Sequence, residues 1–224
     1  MERNGVRGFE CHGPPALLHR FALEQHRPVE RFADLLSVVR PVGRSVFGTA
    51  RAVAAGRITR PVDCVGATVR FADGSSSLVF RETSLRAGDN EDPAFLAVEF
   101  RLAGIGRSRW AHAIFRRTCI VNTPLFAGFP GFRRKLWLAD LQTATYRGLY
   151  DWDGTEEAAA YAAALRPVLE LVSRRDSIHH HILRGVSVAT ALEHPDLLAG
   201  GHRAHDACWW RPTAWSGPRL AMNY

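Results

Sequence analysis

Between residues 94 and 185 the hydrophobic pattern changes period in a fixed order, and this order restricts the possible folds more than any other feature. "AFLAVEFRL" (94–102) reads as a strand. "RSRWAHAIFRRTCIVNT" (107–123) reads as an amphipathic helix with Trp110, Ile114, Thr118 and Val121 along one stripe. "FRRKLWLAD" (132–140) and "ATYRGLYDW" (144–152) read as two further strands. Asp153-Gly-Thr-Glu156 has the spacing of a capping box, and the helix it opens runs to about Ser173. Its stripe is Ala158, Ala162, Leu165, Leu169 and Val172, and Pro167 inside it predicts a kink or a split last turn. "SIHHHILRG" (177–185) closes the series as a strand. The order β-α-β-β-α-β predicts an α+β fold with a ferredoxin-like core, its helices on one face of a four-stranded antiparallel sheet. The other face then needs a cover, for which the usual solution is a second copy of the same sheet.

On the third strand Tyr146, Gly148, Tyr150 and Trp152 alternate, so they share one face. Facing a partner sheet they would be structural; facing the helices they would be a pocket wall. Gly148 allows something to approach the strand closely.

The flanks read differently. Helical spacing predicts short helices at 16–25, 28–40 and 43–55. "CVGATVRF" and "SSLVFRET" flank "ADGSS", a hairpin with Asp73-Gly74 at its tip. The polar run at 86–93 suggests a boundary, which divides the chain into an N-terminal helical and hairpin extension (1–93), the core (94–185) and a loop-rich tail (186–224). The tail's "CWWRPTAW" is expected to pack on the body or on a partner chain.

Composition removes several classes. No apolar run approaches the ~18 residues of a membrane span. The start, "MERNGVRGFECHGPP", has charge and proline where a signal peptide needs an apolar centre, which predicts a cytoplasmic protein. The net charge is +7, yet Lys135 is the only lysine and the arginines are scattered, so no nucleic-acid footprint is expected. RNA-recognition motifs share the strand order, but "YRGLYDW" lacks their full ring spacing and puts Asp151 beside the platform. Cys11, Cys64, Cys119 and Cys208 form no CxxC and are expected to be reduced structural thiols. There is no phosphate loop, nucleophile elbow or HExxH. His179 and His181 share a strand face and could chelate a metal, but the third ligand would have to come from His112, His202 or His205. No metal site is expected.

The stretch "FAGFPGFRRKLWLADLQTATYRGLYDWDGTEEAAAYAAAL" resembles the central part of YdhR-type mono-oxygenases. The resemblance rests on Gly131, Phe132, Lys135, Trp137 and Leu138, on Tyr146, Gly148, Tyr150 and Trp152, and on an alanine-rich helix with Tyr161. These proteins belong with the dimeric α/β-barrel proteins that include the antibiotic-biosynthesis monooxygenases. The resemblance implies a homodimer with its two sheets face to face. It also implies a pocket between sheet and helices, and cofactor-independent oxygenase or cyclase chemistry on an aromatic or polyketide-derived small molecule of secondary metabolism. The alternative within the superfamily is a non-catalytic dimer that binds a small ligand or haem, with His112 or a strand histidine as axial ligand. Cofactor-free chemistry needs a base, an oxyanion donor and an aromatic cage. His179 or His181 is the expected base, with Arg147, Arg116 or Arg134 as the donor. Trp110, Phe132, Trp137, Tyr146, Tyr150 and Trp152 are the expected cage.

Overall fold

The computed structural model describes Thr49 and residues 56–85, 90–104, 109–118, 126–198 and 208–220. The expected helices at 16–25, 28–40 and (Thr49 aside) 43–55 lie outside these residues, as do Cys11, Cys119, His202 and His205.

The described residues form eight strands: β1 (Ile58–Thr59), β2 (Thr68–Phe71), β3 (Ser76–Leu85), β4 (Pro93–Arg101), β5 (Phe132–Asp140), β6 (Thr145–Asp153), β7 (His179–Arg184) and β8 (Pro212–Trp215). Helices α1 (Arg109–Thr118), α2 (Thr155–Val172) and α3 (Val188–Glu193) join them. The strands form one sheet in the order β7-β4-β6-β5-β3-β2-β8, with β1 also on β3, and every pairing is antiparallel. This α+β arrangement fits a ferredoxin-like fold. Strands on both sides of the polar run at 86–93 belong to the same sheet. Among the described residues no helix is long and apolar enough to cross a membrane.

The period of two sorts the sheet into two buried faces. Leu96, Val98, Phe132, Trp137, Tyr150 and Trp152 face α2, where Ala158, Tyr161 and Leu169 meet them. Phe95, Ala97, Leu136, Leu138 and Leu149 point the other way, against α3, Trp210 and Leu220. A bulge between Val79 and Arg81 interrupts the register of β3 on β5. Such a bulge turns two successive side chains to one face, and both Phe80 and Arg81 pack beside Trp137.

Three local expectations are corrected. The cap position of α2 is Gly154, at φ 101°, with no side-chain cap bond. Asp153 ends β6 instead and pairs with Arg133 at 2.6 Å, so it cannot turn back to the helix. Pro167 does not split α2, which runs unbroken from Thr155 to Val172. Pro167 and Ala163, whose carbonyl loses its donor, are both exposed, so water can take the missing bond's place. On α1 two residues of the expected apolar stripe face outward: Trp110 is 77% and Ile114 48% exposed. His112 and Phe115 turn inward instead, against Tyr146.

Asp151 joins the second face to its cover. Its carboxylate accepts a 2.5 Å hydrogen bond from the Val188 amide at the start of α3. Burial pushes its pKa up to about 6, although the Val188 amide and Arg134 oppose the shift. The folded chain therefore holds the proton more tightly than the unfolded chain. The stabilisation from the neutral form is complete below the unfolded carboxyl value and is lost as pH rises to about 6. Asp151→Asn keeps an acceptor for Val188 and removes the titration. Its stability relative to wild type, from urea melts, is expected to rise by about 2 kcal/mol between pH 4 and pH 7. A pH-independent difference would contradict this role.

Candidate functional site

A cavity of about 230 Å³ lies between the helix-facing side of the sheet and helices α1 and α2. Phe80 comes from β3, Phe100 from β4, Lys135 and Trp137 from β5, and Tyr146, Gly148 and Tyr150 from β6. Phe115 of α1 and Tyr161, Leu165 and Leu169 of α2 close it from above. Leu171 and Val172, 85% and 46% exposed, also line it, which puts its mouth at the C-terminal end of α2.

The walls are built from interlocked rings. Tyr146 stacks on Phe100 at 5.9 Å and meets the edge of Phe115 at 4.6 Å. Tyr150 lies 5.4 Å from Tyr161, and their hydroxyls are 3.3 Å apart. Burial pushes the Tyr161 phenol strongly upward, so it keeps its proton at any working pH. Gly148 explains how the ring of Tyr150 lies along its own strand. A Cβ at position 148 would come within 2.5 Å of that ring.

Two polar features interrupt this apolar lining. The first is Lys135, 5% exposed, whose ammonium sits 3.1 Å from the Trp137 ring centroid, 4.5 Å from Phe126 and 4.8 Å from Tyr150. Ring faces attract a cation, so the aromatic cage holds the charge at the cavity wall. The second is the 2.7 Å hydrogen bond between Tyr146 Oη and His112 Nδ1, both buried. A His112 ring without a proton on Nδ1 accepts from the phenol and can take its proton.

The cavity gathers only part of the expected site. Trp137, Tyr146, Arg147 and Tyr150 line it, although the charged end of Arg147 lies elsewhere. Phe132 and Trp152 share the face but pack with Phe126 and Tyr161 in the core beside it. Trp110 stands outside on the exposed side of α1. His179 and His181 are placed away from the cavity. They pair with Glu99 and Ala97, which put them on the opposite face, and there His181 stacks on Trp210 at 3.9 Å and His179 lies 6.0 Å from Trp209. Strand parity also turns the Arg147 guanidinium to that face, where it pairs with Glu99 and Asp73 and donates to Ser77. Arg134 meets Glu82 at 3.4 Å on the same side, and Arg116 accepts from Arg81 through its carbonyl.

Lys135, Phe80, Phe115 and Tyr161 were not among the expected site residues, and His112 was weighed only as a metal or haem ligand. The signal for Lys135 was its rarity: a chain that uses arginine everywhere else keeps one lysine, inside an apolar strand. Among the described residues no group of three or more His, Cys, Asp and Glu could hold a metal ion. The Cys64 thiol is pushed up to about 12 by burial and by its bond to Glu82, which makes it a poor ligand and nucleophile.

No protein-family model matches the chain, and no curated protein does. Among solved structures, a ferredoxin-fold protein from Listeria monocytogenes 4b F2365 related to antibiotic biosynthesis monooxygenases is similar at 11% identity, with a TM-score of 0.34 over 57% of this chain and 91% of its own. An anthrone oxidase-like protein is similar at 17% identity, with a TM-score of 0.30 over 52% of this chain and 60% of its own.

Proposed function

We propose that the cavity takes a compact, planar, weakly acidic aromatic molecule as its anion, and that the protein is a cofactor-independent oxygenase for it. One observation carries the reading: the only lysine of the chain holds its ammonium among rings on the wall of an apolar cavity. Such a site favours a flat molecule and rewards a negative oxygen on it. In this reading β4-α1-β5-β6-α2-β7 is the ferredoxin-like unit, and its helix side is the reaction chamber.

The geometry supports one set of roles. Tyr146 takes the substrate proton as its own passes to His112, and Lys135 steadies the phenolate or enolate that results. The electron-rich anion reduces dioxygen, and a C–O bond forms to give a hydroperoxide, with the proton returned through Tyr146. Loss of water then leaves a carbonyl, so one oxygen atom stays on the substrate and the other departs as water. The substrate supplies all the electrons.

Anthrone, a flat tricyclic ketone that loses a proton from its central CH2 to give an aromatic enolate, is a suitable probe. Oxygen uptake of one molecule per anthrone oxidised, in the presence of a chelator, is the expected result. Tyr146→Phe is expected to lower kcat by about a hundredfold or more while KM changes little. Anthrone bound in the cavity with no oxygen uptake would refute the enzyme and leave a binding protein.

A further inference from the structure

The sheet face opposite the cavity is the one that the family resemblance would give to a second subunit. In this chain it is already buried. Phe95, Leu136, Leu138 and Leu149 have no exposed surface, and what covers them comes from the same chain: α3 and Trp210 of the tail, with β2 curling over from the hairpin.

The curl can be read from distances. On a flat sheet β2 and β6 would stand three strand spacings apart, about 14 Å. Here the guanidinium of Arg147 on β6 lies 4.4 Å over the Phe71 ring on β2, and it also reaches Asp73 in the hairpin turn. The single short turn at Cys208–Trp210 touches both β2 and β4, four spacings apart on a flat sheet, about 19 Å. β8 then continues the sheet beyond β2, and His181 on β7 stacks on Trp210.

We infer that the hairpin and the tail together act within one chain as the second sheet, so that the protein is a monomer with one complete cavity. The two regions without a counterpart in the resembling stretch thereby acquire one common role. The inference does not depend on the oxygenase reading, since the cavity lies on the other side of the sheet.

Light scattering on the full chain tests it together with a crosslink. Arg70 and Ala214 face each other across β2 and β8, and both are exposed. Directly opposed antiparallel residues stand about 4.5–5.5 Å apart, within disulfide reach. The chain is expected to show a mass of 24.9 kDa at every concentration it tolerates. The variant Arg70→Cys/Ala214→Cys is expected to form its disulfide within one chain. Twice that mass, or a disulfide that joins two chains, would overturn the inference.

Discussion

Lys135→Met is expected to lose about a hundredfold to a thousandfold in turnover, the usual cost of removing one preorganised donor to an oxyanion. Methionine keeps the length of the side chain and its contact with the Trp137 and Tyr150 rings. The folded state is therefore expected to survive, with a single cooperative urea transition as in wild type. This separates a functional loss from a structural one. Neutral aromatic molecules of the same shape should still bind, while the preference for the anion disappears. If Lys135→Met turns over as wild type does, the ammonium has no part in the chemistry.

Gly148→Ala is the second large effect, and it acts through shape alone. The added methyl would meet the Tyr150 ring at 2.5 Å and its hydroxyl oxygen at 2.8 Å. Tyr150, whose ring is part of the cavity wall, has to shift. Overpacking of this kind costs about 1–3 kcal/mol, and ligand affinity is expected to fall by at least about tenfold, or about 1.4 kcal/mol. Urea melts and a binding titration on the same variant read both numbers. An unchanged affinity would mean that ligands do not enter beside β6.

Much of the fold was legible because period is a local property. Strand β5 was expected at 132–140 and is found there, and β4, β6 and β7 lie within two residues of expectation. Alternation also showed that Tyr146, Tyr150 and Trp152 share a face. It could not show which face the helices cover, because both faces of this sheet are apolar. The histidines on β7 illustrate the limit. Their parity relative to each other was clear, but their side of the sheet depends on the register of β7 against β4, a long-range pairing. Helix α1 misled because Trp110 and Ile114 outweigh His112 on any hydrophobicity scale. The inward side is chosen by the ring contacts of His112 and Phe115 with Tyr146. The strand in the tail was hidden for a similar reason: four residues of β8 carry little periodicity, and their place beside β2 exists only once the hairpin has curled over.

The ionisation of a bound phenol tests the central claim most directly, because the two accounts of the cavity give opposite signs. An apolar cavity alone disfavours a phenolate and raises the pKa of a phenol inside it. A cavity with the Lys135 ammonium on its wall favours the phenolate and lowers it. The absorbance of a naphthol-type phenol, titrated with saturating protein, reports this value. The account predicts a bound pKa at least about one unit below that in water, equivalent to about 1.4 kcal/mol in favour of the anion. It also predicts a value above that in water for Lys135→Met. A bound pKa at or above the solution value in the wild-type protein would contradict it.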